Sequence, residues 1–209
     1  MFDDRADAAR QLADRLAHLQ DKHPLILAVP RGAVPMGVIL ARALGGDLDL
    51  VLVRKLGAPG NPEFAVGAVD EGGQVSLNPG AEAYVDEAYV AAEVARQREV
   101  LRRRRALYGA RRVDPAGRTV VVVDDGVATG ATLIAALDAL RANRPARLIA
   151  AVAVAPPDAA ARLRAHADEV VCLRVARDFG SVGQFFRDFG QVSDDEVTAL
   201  LADWQARPG

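Results

Sequence analysis

One cysteine, Cys172, serves a chain of 209 residues, which excludes an internal disulfide and any cluster of thiolate metal ligands. Its setting, Val170-Val171-Cys172-Leu173, is apolar and reads as a core thiol rather than a nucleophile. Lysine is nearly as scarce: Lys22 and Lys55 stand alone in a chain rich in arginine and alanine, so a lysine at a loop carries more information than any one arginine. The three histidines, His18, His23 and His166, lack metal-ligand spacing and fall outside every loop with a functional composition. No apolar run reaches the 18 residues that would make a membrane-span candidate. The first residues, Met1-Phe2-Asp3-Asp4-Arg5, are acidic where a secretory signal would be basic and then apolar, so a cytoplasmic location is expected. A net charge of −2 gives no general attraction to nucleic acid or to an anionic membrane, and neither is expected as a partner.

What is present is the composition of a globular domain, with 51% hydrophobic and 26% charged residues. The length suits one α/β domain with a small appendage. Apolar residues recur at helical spacing over residues 3–20. Strand patterns follow at 25–29, 48–53, 119–124, 148–155 and 169–173, alternating with helix patterns at 35–44, 81–108, 131–142 and 158–166. That alternation predicts an α/β fold with an open, parallel, Rossmann-like sheet and right-handed crossovers. Residues 65–69 and 74–77, on either side of Asp70-Glu71-Gly72-Gly73, predict a hairpin at one sheet edge. The chain divides into a core over residues 1–174 and a C-terminal hood over 175–209, aromatic and Gly-punctuated before a last helix at 194–205.

The most specific segment runs from Val120 to Thr132. Four consecutive valines without polar alternation predict a strand covered on both faces, so Asp124 and Asp125 stand at its carboxyl end, the edge where open α/β sheets bind ligands. Gly126, Val127, Ala128, Thr129, Gly130, Ala131 and Thr132 then form a small loop whose amides and hydroxyls can surround an anion at the start of a helix. The loop suits a phosphate, whereas the acids suit hydroxyls, a metal ion or developing positive charge. A phosphorylated sugar satisfies both halves. No Gly-Lys-[Ser/Thr] follows, and the acids precede the glycines, so the segment is neither a Walker loop nor a dinucleotide fingerprint.

Three further segments have site-like compositions. Pro30-Arg31-Gly32-Ala33 follows the first strand, where Arg31 can offer a planar fork of donors and Gly32 permits close backbone approach. Arg54-Lys55 closes the second predicted strand, ahead of a Pro- and Gly-rich stretch over residues 56–64 that reads as a mobile loop. Glu63 is the one acid in that loop and a candidate proton donor or acceptor. The tail rings Phe179, Phe185 and Phe186 can either stack on a flat acceptor or pin the tail to the core. The arginines late in the 81–108 helix complement its dipole, and no aromatics interleave with them as RNA binding would require.

The segment Val120 to Thr132 resembles the phosphoribosyl diphosphate (PRPP) motif of type I phosphoribosyltransferases: four apolar residues, two acids, then a Thr-Gly loop. The resemblance implies transfer of the 5-phosphoribosyl group of PRPP to a nitrogenous base or amine, with pyrophosphate released and Mg²⁺ required. It implies that Asp124 and Asp125 hold the ribose hydroxyls and, through them, Mg-PRPP. It also assigns residues 126–132 to the 5-phosphate, and Arg31, Gly32, Arg54 and Lys55 to the pyrophosphate. Glu63 and the three phenylalanines would serve the acceptor, and a homodimer is the expected assembly. One departure narrows the acceptor. The hypoxanthine-guanine type carries an Asp just before the Thr-Gly of this loop, and Ala128 stands there in this chain, which disfavours a 6-oxopurine. A PRPP sensor without turnover, or another phosphosugar enzyme such as a hydrolase, would keep the same loop.

Overall fold

The computed structural model describes residues 1–110 and 112–206; the side chains of Pro62 and Glu63 also lie outside the described set. A five-stranded parallel sheet occupies the centre, with strands β1 (Leu25–Ala28), β2 (Asp47–Leu50), β6 (Thr119–Asp124), β7 (Arg147–Ala155) and β8 (Glu169–Val175) in the order β2-β1-β6-β7-β8. The fold is thus the α/β type with a parallel sheet that the strand and helix patterns predict. Its central strand β6 shows why four valines form it. Val121 and Val123 enter the apolar layer on one face, Val120 and Val122 that on the other, and all four are fully buried. At about 1.5–3 kcal/mol for each buried valine, β6 is held rigidly beneath its terminal acids.

Helices cover both faces. On one lie α1 (Arg5–Arg15), α2 (Val34–Leu44) and α6 (Asp194–Gln205), whose buried residues share the larger apolar cluster; on the other lie α4 (Ala131–Ala142) and α5 (Pro157–Leu163). The helix expected over 3–20 is broken after Arg15, and the chain continues as a 3₁₀ turn from Ala17 to Lys22. The long helix α3 (Glu87–Tyr108) starts later than residue 81, because Asp86 caps it by accepting from the Tyr89 N–H at 2.7 Å.

The region after β2 corrects the sequence reading. The strand predicted over 48–53 is two strands in two sheets: β2 ends at Leu50, and β3 (Val53–Ala58) starts a separate antiparallel sheet with β4 (Asn61–Asp70) and β5 (Val75–Leu77). Arg54 and Lys55 therefore sit within β3, opposite Val69 and Ala68, not at the carboxyl end of a central strand. The expected mobile loop is instead the β3–β4 hairpin, turning at Pro59-Gly60, where Gly60 adopts a left-handed φ of 73°. This small sheet buries Leu56, Val66 and Val69 against Ala81 and Val94.

Candidate active site

The carboxyl edge of the parallel sheet gathers the loop after β1, the loop after β6 and part of the hood. Asp124, half-buried, accepts hydrogen bonds from the Asp125 and Gly126 amides, yet burial and then the adjacent Asp125 charge push its carboxyl well above the ordinary carboxylate range. Asp125 turns the other way. Its Oδ2 accepts from Arg5 Nε at 2.8 Å, and Arg5 Nη1 donates to the Gly190 carbonyl at 2.6 Å. The Arg5 guanidinium lies 3.8 Å over the Phe189 ring.

Arg5 is the site residue that sequence reading missed. One arginine near the start of an amphipathic helix carries no local signal; it reaches the cleft through tertiary contacts. Asp4 caps α1, accepting from the Asp7 N–H at 2.7 Å. The stretch before it is clamped to the hood: Phe2 N–H donates to the Phe185 carbonyl at 2.8 Å, and Arg187 N–H donates to the Phe2 carbonyl at 2.9 Å. Those bonds deliver the first turn of α1 to the strand end.

Two glycines make the close approaches possible. A Cβ on Gly32 would stand 2.1 Å from Asp125 Oδ2, so the Pro30-Arg31-Gly32 loop touches the acids only because residue 32 has no side chain. A Cβ on Gly126 would meet Val182 of the hood at 2.6 Å and Val154 at 2.8 Å. Gly130 then caps α4 with a φ of 75° and no side-chain cap bond, while Ala128, Thr129, Ala131 and Thr132 are exposed around that helix start. Ala131 N–H donates to Thr129 Oγ1 at 3.3 Å, and Arg162 holds the Thr129 carbonyl. The loop is thus an open collar of small residues at a helix N-terminus, suited to an anion the size of phosphate.

The structure brings Arg31 and Gly32 to Asp125: all three line an open cleft of about 510 Å³ with Val182, Phe189 and Gln191. Arg31 Nη1 lies 3.6 Å from Asp194, which also accepts from the Tyr108 hydroxyl at 2.7 Å. It does not bring Arg54 and Lys55 there. Arg54 donates to Gln97 of α3 at 2.9 Å, and Lys55 lines a separate cavity between the small sheet and α4 with Asn78, Asp138 and Arg162. Phe185 and Phe186 are buried, and Phe186 packs with Phe2 and Phe189 at centroid distances of 5.2 and 4.9 Å. They pin the hood, and Phe179 packs on Phe185 at 5.4 Å, so the ring turned to the cleft is Phe189. Glu63 lies in β4, and its side chain falls outside the described residues.

For a metal, the donor set is two adjacent carboxylates, and no group of three acidic, histidine or cysteine side chains gathers among the described residues. That fits a hard cation held mainly by ligand phosphates and water, as Mg²⁺ commonly is, and not a cation caged by protein.

A collar of small residues at a helix N-terminus, paired acids and an Arg-Gly loop thus meet at one edge of the parallel sheet of this α/β protein. The chain belongs to the phosphoribosyl transferase family: the model of the phosphoribosyl transferase domain matches residues 2–189. It is 45% identical over 205 residues to a Mycobacterium tuberculosis protein named "Putative phosphoribosyl transferase Rv0571c", a match covering 96% of this chain and 46% of that protein. A relative in a second strain of the same organism matches equally well. The chain therefore spans about half the length of the curated relatives it matches. Among solved structures, that of TT1426 from Thermus thermophilus superposes with a TM-score of 0.90 at 50% identity, over 98% of this chain and 99% of that one.

Proposed function

We propose that the protein transfers the 5-phosphoribosyl group of PRPP to a nitrogenous base or amine, releasing pyrophosphate, with Mg²⁺ bound through the substrate. The observation that carries this reading is the juxtaposition, at one edge of the parallel sheet, of Asp124-Asp125, the collar of residues 126–132 that follows them and the Arg31-Gly32 backbone, which lines one cleft with Asp125. In this reading the collar amides and the Thr129 and Thr132 hydroxyls hold the 5-phosphate. Asp125 and Asp124 accept from the ribose hydroxyls and stabilise the positive charge that develops at C1 as its bond to pyrophosphate breaks. Bound Mg²⁺ would offset leaving-group charge. Arg31 lies where it can share that task, and catalysis is chiefly positioning and electrostatics.

The acceptor nitrogen would enter by the open cleft, between Phe189 and the Arg31-Gly32 loop. Arg5 covers part of the Phe189 face and fixes Asp125, which restricts a stacked base to the remaining edge. Ala128, in place of an acid, supports an acceptor other than a 6-oxopurine.

Exchange of labelled pyrophosphate into PRPP, screened over a panel of bases and amines with Mg²⁺, tests the reading. Label entering PRPP only with a particular acceptor is the expected result. Tight PRPP binding without exchange on any acceptor would favour a sensor instead. Asp125→Asn should retain a cooperative melt and lose about 2.7–4 kcal/mol of transition-state stabilisation, a fall of two to three orders of magnitude in exchange. Undiminished exchange in that variant would sink the ribose assignment.

A further inference from the structure

We infer that Arg104, on α3, is a pyrophosphate-binding residue that takes the place its sequence position would have given to Arg54. The inference rests on the proposed PRPP site and deepens it. Most arginines of α3 are spent on neighbours: Arg96 on Glu93, Arg102 and Arg103 on Glu99, Arg105 on Asp49 and Glu71. Arg104 has no hydrogen bond or ion pair among the described residues, although it lines a cavity of about 80 Å³ with Pro30, Val53, Leu101 and Thr132. That wall joins the two loops on either side of the proposed pyrophosphate: Pro30 precedes Arg31, and Thr132 ends the phosphate collar.

Helical spacing explains the direction. Leu101 and Tyr108 lie three residues before and four after Arg104, on one face of α3, and both are buried against the body of the protein. Arg104 therefore leaves α3 from the face that carries these two buried residues, with its own side chain exposed at the mouth of the cavity. Tyr108, one turn beyond Arg104, donates to Asp194 at 2.7 Å, and Arg31 Nη1 lies 3.6 Å from the same carboxylate, so the Arg31 loop comes up to this end of α3. Arg54 is held by Gln97, and Lys55 faces the other side of α4, so neither lies on this wall. A pyrophosphate carries several charges, and a free guanidinium fork beside Pro30 and Thr132 supplies the donors that this pair does not.

Calorimetric titration with Mg²⁺ and either PRPP or ribose 5-phosphate tests the assignment, since the second ligand lacks pyrophosphate. Arg104→Gln should lower PRPP affinity by about tenfold or more and leave ribose 5-phosphate affinity unchanged, while Arg104→Lys recovers part of the loss. Being exposed, and without a hydrogen bond or ion pair among the described residues, Arg104 should be replaceable without a shift in melting temperature. An unchanged PRPP affinity, or an equal loss on both ligands, would overturn the inference while the site reading stands. Wild-type protein that binds neither ligand would overturn both.

Discussion

Two pairs of acidic side chains are drawn below the surface of this molecule, and they are built on opposite plans. Beneath the small sheet, Asp49 and Glu71 share Arg105: Nη1 binds Asp49, and Nε donates to Glu71 at 2.8 Å. Asp49 also accepts from the Leu50 and Val113 amides at 2.6 and 3.0 Å. Every charge there has an opposite charge beside it. At the end of β6, two acids adjoin one another, and the single cation in contact among the described residues, Arg5, reaches only Asp125. The first arrangement ties β2, the β4–β5 turn and α3 together. The second leaves like charges together, with Asp124 out of contact with any cation among the described residues, as the proposed PRPP site would require.

The contrast predicts that cutting the paired network costs most. Arg105→Met leaves Asp49, only 2% exposed, without a counter-charge and Glu71 with only the more exposed Arg112 at 3.9 Å, and should destabilise by about 3–5 kcal/mol, read from the midpoint of urea unfolding. A loss under about 1 kcal/mol would show that water reaches the network and would erase the distinction. A smaller loss is expected at the cleft. Arg5→Gln removes one charged hydrogen bond of a pair whose side chains are each 13% exposed, worth about 1.5–3 kcal/mol in the same experiment. It should also free the Phe189 ring, so any acceptor that stacks there will show a changed KM.

The two regions also differ in what the sequence discloses. At β6 the strand, the paired acids, the glycines and the start of α4 are contiguous, so Thr119–Asp124 and Ala131–Ala142 are legible to the residue from local pattern. The same holds for α6, whose Ser193 and Glu196 form a capping box. Around Arg105 the partners lie 56 and 34 residues away, and no local pattern announces them. Residues 51–64 misled because an apolar run and a Pro-Gly turn are equally the signature of a strand end with a loop and of two strands with a hairpin. What decided between them was packing of Leu56 and Val66 onto Ala81, which lies far along the chain. Arg5 and Arg104 were illegible for the same reason, and Phe185 and Phe186 resolved as core because Phe2 comes to meet them.

The last expected effect is the smallest and has the opposite sign. Asp124→Asn should stabilise the ligand-free protein, because the amide oxygen can still accept from the Asp125 and Gly126 N–H groups while the buried charge beside Asp125 is gone. The pH dependence identifies the cause. Since the folded state raises the Asp124 pKa, native protein holds that proton more tightly than unfolded chain does, and wild-type stability falls as pH rises from the ordinary carboxylate range, about 4, toward the raised value. The variant lacks this slope, so the difference in melting temperature should be near zero at about pH 4 and grow toward neutrality. A difference already full at acid pH would assign the gain to packing instead. Binding of Mg²⁺ and PRPP should favour the wild-type carboxylate and reverse the order of the two proteins, which is the behaviour expected where destabilising charge is kept for a ligand.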